Sequence, residues 1–416
     1  MTRRVMVDRR LAVFLPLLVI YITLVVAMST NAPKGDETGY LRIANRLAGQ
    51  GTAADRALLW WGPGYPTLLV PFVVLGIPLL GAKLLNALLL FGAVIYFYKT
   101  VTLWMRKRTG AMLTLMFGMY PPFLRYLHLL YTEIFALFLV CGFAYHFIRF
   151  HDRTRLSWKH LLLSAFWLAF LALTKVFFGY VVVAGLCLSG VAFLWKRHAM
   201  LLKTFLLCAL ALVLCLPHLR YSYEITGKHF YWGSSGGLSL YWMSSPYAGE
   251  LGSWHSFADV MSKEALIPHR AFFSEIVDLP KHESDAALRK RAVNNIARHP
   301  VKFAANWAAN VSRLLFAYPY TNQRQQLRTL FYSVPNMFLI VLFGCGIYPA
   351  IKGRRRIPGS LYSILCFGLI SLGGLSLLSA CARMFIPLIP IFLIWVSFLY
   401  STIIRLSVCE DTEVSG

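Results

Sequence analysis

Two adjacent carboxylates, Asp36 and Glu37, follow the first long apolar segment of the chain. A sugar transfer to a hydroxyl or an amine needs a carboxylate that can take the proton of the acceptor. The same pair could instead be structural, because aspartate caps the N-termini of helices and glutamate favours their positive ends. A helical stripe that begins at Tyr40 and stops before Gly49 predicts such a helix. The pair alone therefore leaves both a catalytic and a capping role open.

Further charged side chains lie at or near the outer ends of apolar segments. An ionisable group at membrane depth costs roughly 2.5–3.5 kcal/mol to insert, so its presence there indicates function. The group comprises Arg125, His128, Glu133, Lys175, Arg220 and Arg383. The arginines and the lysine are predicted to share one external rim, which would suit a lipid phosphate. Snorkelling to the membrane surface is the alternative for each, and Glu133 could be a structural partner of Arg125 or Lys175.

Other motifs are less specific. An aromatic segment with glycine and proline runs from Trp60 to Pro66 and is typical of membrane-interface anchors. The histidines lack the spacing of metal ligands such as H-E-x-x-H, and no Walker A loop, Rossmann glycine pattern or G-x-S-x-G elbow is present. No certain cofactor is indicated. A divalent metal could assist, although two adjacent carboxylates alone make a poor cage.

The elements that must position these groups are membrane helices. Of the 416 residues, 58% are hydrophobic and 14% charged, whereas a soluble protein carries about 25% charged residues. A net charge of +24 would suggest nucleic acid in a soluble protein. Here the basic residues cluster in short linkers, as the positive-inside bias requires, so no nucleic-acid partner is expected. The cysteines are spaced like small packing residues, which argues against disulfides and a zinc site.

Placing the basic linkers inside predicts about ten membrane spans with both termini cytoplasmic. These spans are 11–29, 82–104, 110–124, 129–149, 159–174, 176–195, 201–217, 330–350, 358–380 and 384–405. The N-terminus resembles a signal peptide, but its apolar run is too long and lacks a cleavage site, so we expect a retained first helix. Segment 64–76 is short and interrupted by prolines, which predicts a half-inserted or surface-lying external helix.

The spans divide the chain into three parts. Residues 1–217 form an N-terminal membrane module with an external loop at 30–81, residues 218–329 form an external region, and residues 330–416 form C-terminal membrane helices. In the external region, Ser284-Asp285 are expected to cap a helix that ends at Arg298. Pro300 is expected to open a second helix, whose apolar face is predicted to lie on the membrane.

The order of the motifs resembles the GT-C glycosyltransferases. The closer likeness is to the branch with protein O-mannosyltransferases and lipid A aminoarabinose transferases, families 39 and 83. After the acidic pair and an x-G-P-G-Y-P segment, the pattern continues at 84–87 (LLNA), 121–122 (PP), 131–133 (YTE), 173–175 (LTK), 217–221 (PHLRY), 236–241 (GGLSLY) and 383–387 (RMFIP). The resemblance covers nearly the whole chain.

This resemblance implies an all-α GT-C membrane fold. It also implies transfer of a hexose or pentose from a polyprenyl-phosphate donor to a glycan, lipid or protein acceptor on the external or periplasmic face, usually with inversion. Asp36 would be the catalytic base or would orient the acceptor, with Glu37 in support. The implied phosphate ligands are Lys175, Arg220 and Arg383, and the further candidates for the substrate groove are Tyr40, Tyr65, Arg125, His128 and Glu133.

Some features depart from the family pattern or leave other functions open. Tyr221-Ser222 stand where many relatives have Asn-Tyr, and the chain ends soon after Arg405 without extra helices, so the acceptor is open. A lipid or sugar transporter or flippase would favour ionisable groups near the bilayer midplane and internal repeats. A glycan polymerase or ligase would use a different external loop and would not need the acidic pair. The absence of disulfides favours a bacterial inner membrane.

Overall fold

The computed structural model describes residues 9–50, 59–152, 156–320 and 326–404. Within these ranges the chain is helical and contains no strand. Among the described residues, eight segments are long and apolar enough to cross a membrane: Leu11–Met28, Leu79–Val101, Thr132–His151, Phe177–Lys196, Ala199–Thr226, Leu327–Lys352, Gly359–Ser376 and Ala382–Ile403. The chain is therefore a multi-pass membrane protein, as its composition predicts.

In the described residues of the N-terminal part there are ten α-helices, some of them much shorter than a membrane span. They are α1 (Leu15–Met28), α2 (Asp36–Leu47), α3 (Gly64–Val74), α4 (Leu79–Val101), α5 (Lys107–Gly118), α6 (Pro121–Leu124), α7 (Thr132–His151), α8 (Trp158–Thr174), α9 (Phe177–Lys196) and α10 (Ala199–Thr226). A 3₁₀ turn, Arg9–Phe14, precedes α1. The main core of the protein is formed around α4, α7 and α8.

The external region and the C-terminal part follow. They comprise α11 (Gly236–Met243), α12 (Phe257–Ser262), α13 (Ile267–Ile276), α14 (Lys281–Arg298), α15 (Pro300–Phe316), α16 (Leu330–Cys345), α17 (Ile347–Lys352), α18 (Gly359–Ser376) and α19 (Ile389–Phe398). Short 3₁₀ segments cover Glu264–Leu266, Leu327–Thr329, Arg354–Arg356 and Ala382–Leu388, and a π-helical turn covers Leu399–Ile403. The external region has its own apolar core around Trp242 and Phe273.

Two predicted spans, 110–124 and 201–217, differ in length from the helices observed, whereas α8 matches its predicted span 159–174. The segment 110–124 is broken into α5 and α6, because the paired prolines at 121–122 start a new helix after an extended Tyr120. Helix α8 has 17 residues and is one of the shorter apolar helices. Helix α10 continues nine residues past Pro217 and is about 42 Å long. The helix is therefore longer than the hydrocarbon core of a bilayer, which is about 30 Å thick.

The proline-interrupted segment forms the short helix α3, which packs against α2 and α8. Its 11 residues span only about 16 Å, too short to cross a bilayer. A Cβ atom on Gly62 would overlap the carbonyl of Leu173, and one on Gly64 would lie 2.5 Å from Thr174 Oγ1. The two glycines therefore allow the loop before α3 to lie directly against the end of α8. The depth of α3 in the membrane stays a prediction.

The start of α14 differs from the prediction. The helix begins at Lys281 directly after Pro280, so Ser284 and Asp285 lie inside it and are not its cap. Both side chains are buried and used in tertiary contacts: the Ser284 hydroxyl donates to the Ile276 carbonyl at 2.8 Å, and Asp285 Oδ1 accepts from the Gly237 amide at 2.6 Å. A hydroxyl and a carboxylate before an apolar run can satisfy other backbone groups as well as those of their own helix.

Two of the spans are more buried than the other six: Thr132–His151 and Ala382–Ile403. Glu133 is the second residue of the first, and Arg383 is the second residue of the other. The N-terminal ends of the two central spans therefore bring a buried carboxylate and an arginine to the same end of the bundle.

Candidate active site

Four charged side chains from four different segments form one ion-pair network. Arg383 Nη1 lies 2.7 Å from Asp36 Oδ2, and Arg383 Nε lies 3.9 Å from Glu133 Oε1. Lys175 Nζ lies 3.0 Å from the same Glu133 oxygen. The carboxylates and cations alternate along this network, so each charge has an opposite charge beside it. The structure thus brings together four of the residues that the sequence singled out.

Asp36 is the first residue of α2, and Gly35 occupies the cap position. Gly35 has a φ of 56°, and a Cβ atom there would lie 2.5 Å from the Tyr131 hydroxyl oxygen. The helix has no side-chain cap hydrogen bond. The Asp36 side chain is 27% exposed and points to Arg383. The capping role considered for Asp36 is therefore not observed, and its carboxylate remains accessible from the site.

Glu37 points away from this network and is fully buried. Its Oε2 accepts from the Lys34 amide at 2.7 Å, and its Oε1 accepts from the Leu130 amide at 2.8 Å. Lys83 Nζ lies 3.4 Å from Oε1. A carboxylate with two amide donors and a buried cation is a structural tie. Glu37 therefore joins the first external loop to α4 and to the chain just before α7.

We expect Glu37→Gln to lower stability far more than a surface substitution. The amide would leave the buried Lys83 ammonium without its negative partner, and breaking a buried pair costs about 3–5 kcal/mol. Glu224→Gln is the matched control, because the Glu224–Arg220 pair is 58% and 83% exposed and contributes little. Thermal unfolding of the purified protein, followed by tryptophan fluorescence, measures both. Equal midpoints for the two variants would contradict the role given to Glu37.

Glu133 is the buried centre of the network. Its side chain is 1% exposed, and its Oε1 faces both Lys175 and Arg383. Its Oε2 has no hydrogen-bond partner among the residues that the structure describes. Lys175 follows the last residue of α8, so its side chain reaches this carboxylate from the end of the helix. Of the two structural partners considered for Glu133, Lys175 is the one observed.

Beside the network lies a cavity of about 230 Å³ with three arginines in its wall, Arg125, Arg328 and Arg383. Tyr126, Tyr320, Tyr332 and Cys381 complete much of its lining. Arg125 lies 5.5 Å above the Tyr332 ring and Arg383 lies 5.2 Å above the Tyr131 ring. One guanidinium group can bind two phosphate oxygens at once, and stacking on an aromatic ring holds the guanidinium in place. The cavity is therefore suited to a phosphate group.

Arg328 is a site residue that the sequence reasoning missed. It lies in the 3₁₀ turn directly before α16, is exposed and lines the cavity. The available signal was its position: a cation just outside a predicted span, like Arg125 and Arg383. Only the fold brings the outer end of that span next to the other two arginines.

The remaining predicted groove residues lie around the network. Tyr40 and Tyr65 are buried, with ring centroids 5.4 Å apart, and Trp61 packs against Tyr40 at 5.6 Å. Burial, together with the nearby Glu133 charge, raises the pKa of Tyr40 well above its usual value, so the phenol stays neutral. These tyrosines form the packed support behind Asp36.

His128 and Arg220 differ from the network residues. Burial lowers the pKa of His128, and the neighbouring Lys83 lowers it further, so the imidazole is neutral at pH 7. Arg220 lies near the C-terminal end of α10, is 83% exposed and pairs with Glu224 at 3.1 Å. Arg220 is therefore not brought to the other predicted phosphate ligands.

The acidic pair does not form a metal cage in this arrangement. Asp36 faces Arg383, whereas Glu37 faces Lys83 inside the protein. In the described part of the chain, no three side chains of His, Cys, Asp or Glu lie close enough together to hold a metal ion.

Comparisons with known proteins place the fold. No protein-family model matches the chain, and no curated protein sequence is significantly similar to it. The oligosaccharyltransferase AglB from Archaeoglobus fulgidus, in complex with an inhibitory peptide and a dolichol-phosphate, matches 98% of the chain with a TM-score of 0.52 and 13% identity. The apo form of the Archaeoglobus fulgidus oligosaccharyltransferase matches 92% with a TM-score of 0.51 and 14% identity.

The chain spans about half the length of these oligosaccharyltransferases, 52% and 50% respectively. ArnT from Cupriavidus metallidurans bound to undecaprenyl phosphate is a more distant match, with a TM-score of 0.40 and 14% identity over 92% of this chain and 77% of ArnT. Both matches to the oligosaccharyltransferase cover more than nine tenths of this chain, 98% and 92%. The chain therefore has the membrane fold of the GT-C glycosyltransferases.

Proposed function

We propose that this protein is a membrane glycosyltransferase that moves a sugar from a polyprenyl-phosphate donor to an acceptor on the outer face of the membrane. The observation that carries the proposal is the double role of Arg383. Its guanidinium pairs with Asp36 at 2.7 Å and also lines the three-arginine cavity. A candidate base and a candidate phosphate site are therefore adjacent. The dolichol-phosphate in the AglB complex supports a prenyl phosphate as the carrier.

The proposed reaction is a single displacement at the anomeric carbon. The acceptor hydroxyl or amine attacks this carbon and forms the new glycosidic bond, while the bond from the carbon to the phosphate oxygen breaks. Asp36 takes the acceptor proton. The departing phosphate keeps the electron pair of the broken bond, and the arginines stabilise its growing negative charge. Because phosphate is a good leaving group, no general acid is needed, and attack from the opposite face inverts the configuration.

The assignment of the phosphate ligands changes from that implied by the sequence. Arg383 is kept as a phosphate ligand. Lys175 is instead paired with Glu133, and Arg220 lies on an exposed helix end. We assign the donor phosphate to Arg125, Arg328 and Arg383, which share one cavity. Lys175 and Glu133 then act by positioning Arg383, because Glu133 lies between the two cations.

The depth of the charges favours this function over a transporter. Glu133, Lys175 and Arg383 all lie at helix ends, two at the start of a span and one directly after α8. A transporter would place its ionisable groups near the middle of the bilayer. We further propose that the site faces the periplasm of a bacterial inner membrane, with both termini in the cytoplasm. This orientation follows from the basic linkers.

Binding of undecaprenyl phosphate tests the proposed donor site. Native mass spectrometry of the protein in detergent would compare wild type with Arg328→Gln. We expect the variant to bind about tenfold or more weakly, because a charge-assisted hydrogen bond contributes about 1.5–3 kcal/mol. Arg220→Gln should bind like wild type. Equal weakening in both variants, or no binding by wild type, would refute the assignment. Movement of a sugar-bearing undecaprenyl phosphate across vesicles, with its sugar–phosphate bond intact, would favour the transporter.

A further inference from the structure

We propose that Asn310 and Arg313, two buried residues of the external helix α15, position the wall of the cavity that carries Arg383. The proposal rests on the proposed function, since it concerns the donor site of that reaction. Neither residue belongs to the ion-pair network of Asp36, Glu133, Lys175 and Arg383. Their effect would be exerted through the backbone that leads into Arg383.

Arg313 is 1% exposed and donates to six oxygens. The acceptors are the carbonyls of Gly252 (2.9 Å), Ala380 (3.0 Å), Leu251 (3.2 Å) and Pro319 (3.2 Å), the Ser253 hydroxyl (3.3 Å) and the Asn310 side-chain oxygen (2.8 Å). Four of these acceptors belong to loops remote in sequence from α15. Because a buried charge is costly without such partners, this set of contacts holds the loops in one arrangement.

Asn310 fixes the same segment from a second position. Its Nδ2 donates to the carbonyls of Ser376 and Leu378, both at 2.7 Å, and its Oδ1 accepts from the Ala380 amide at 2.9 Å. Asn310 and Arg313 together therefore bind the backbone at Ser376, Leu378 and Ala380. These residues run from Ser376, the last residue of α18, to Ala380, three positions before Arg383.

Residues 376–380, which Asn310 and Arg313 clamp, continue directly into the cavity wall. Cys381, Ala382 and Arg383 line the cavity, and so does Tyr320, whose ring lies 5.9 Å from the Arg313 guanidinium carbon. Arg313 also holds the carbonyl of Pro319, the residue before Tyr320. Two separate walls of the proposed phosphate site are thus attached to one buried side chain. A catalytic residue that is displaced by about 1 Å, because a supporting contact is lost, can lose much of its effect on the rate.

The sequence explains why an arginine is needed here. Asn306, Asn310 and Arg313 lie on one face of α15, and all three are buried. Only a guanidinium offers five donors in a fixed planar arrangement, whereas lysine offers three donors on one nitrogen. A lysine at 313 would therefore leave several of the six acceptors unpaired.

Thiol accessibility tests the clamp without relying on catalysis. Cys381 is partly exposed and carries a free thiol. We expect Arg313→Gln to speed alkylation of Cys381 by N-ethylmaleimide about tenfold, measured on the Cys381 peptide by mass spectrometry, because the loop would open more often. Arg298→Gln, an exposed arginine near the end of α14, is the matched control and should label like wild type. Unchanged labelling in a folded Arg313→Gln protein would overturn the proposal.

A second measurement separates positioning from general stability. In steady-state assays, Arg313→Gln should raise the donor KM about tenfold and leave the acceptor KM unchanged, because only the phosphate wall is displaced. Asn310→Ser provides a milder variant if Arg313→Gln fails to fold, and it should shift both readouts in the same direction. If wild type binds no prenyl phosphate, the proposed function fails, while the Cys381 labelling still decides the clamp. Equal changes in donor and acceptor KM would contradict positioning.

Discussion

Asp36→Asn is expected to lower sugar transfer by about 10³-fold, within the range of 10²–10⁴ typical of a lost general base. The amide has nearly the shape of the carboxylate but cannot take the acceptor proton. It also leaves Arg383 without its partner at 2.7 Å. The measurement is the initial rate of transfer from a radiolabelled donor, with the purified protein in lipid.

The fold should survive this substitution. Asp36 is 27% exposed and provides no cap hydrogen bond to α2, so its loss removes little stability. Asp278→Asn, the same chemical change at an exposed position of the external region, is the control and should keep full activity. Transfer by Asp36→Asn at the wild-type rate would remove Asp36 from the mechanism.

Arg383→Gln is expected to have the second largest effect, about 10²-fold or more in kcat/KM. The substitution removes a guanidinium that pairs with Asp36, stacks on Tyr131 and lines the phosphate cavity. Removing one preorganised donor from developing charge costs about 10²–10³ in rate. The donor KM should rise as well, because the same group contacts the ground-state phosphate.

Two further variants decide whether charge alone accounts for this effect. Arg383→Lys should recover only part of the activity, since an ammonium cannot bind two oxygens in one plane and stacks poorly. Arg220→Gln removes an equal charge from the exposed end of α10 and should be nearly silent. Full recovery with lysine, or an equal loss at position 220, would show that Arg383 has no specific role.

The fold class could be predicted from the sequence because a bilayer leaves few alternatives. Long apolar runs must form helices so that their backbone groups are hydrogen-bonded, and the basic linkers indicate the orientation of each helix in the membrane. Helix ends were less predictable. Pro217 lies inside α10, and the helix continues past it to Thr226, although proline usually disfavours a helix interior. This extension explains why Arg220 lies away from the site.

The candidate site could be predicted in part. Asp36, Glu133, Lys175 and Arg383 were identified from their charge at predicted helix ends, and the structure brings them into one network. The sequence offers Lys175 as one of two possible partners of Glu133. It could not choose between the two or pair Asp36 with Arg383, because both pairings depend on which spans are neighbours. The sequence also did not show that Asp36 faces the site while Glu37 is a buried structural residue, although adjacent helical residues point in different directions.

The contacts of Asn310 and Arg313 on α15 could not be predicted from the apolar face of that helix. The sequence predicts that this face lies on the membrane, and Val301 and Trp307 are indeed exposed, so the membrane contact stays a prediction. On another face of α15, the structure buries the polar stripe of Asn306, Asn310 and Arg313 inside the protein. The spacing i, i+4, i+7 of these polar residues was the available signal, since it is the spacing of one buried helix face.

The most direct test of the account is a turnover measurement with a panel of radiolabelled polyprenyl-phosphate sugars. Wild-type protein in lipid would be supplied with each donor and a crude acceptor extract, and both prenyl phosphate and labelled product would be measured. We expect wild type to convert a donor to equal amounts of prenyl phosphate and glycosylated acceptor, and Asp36→Asn to convert none. Consumption of no donor by wild type, or equal release of prenyl phosphate by wild type and Asp36→Asn, would contradict the proposed function.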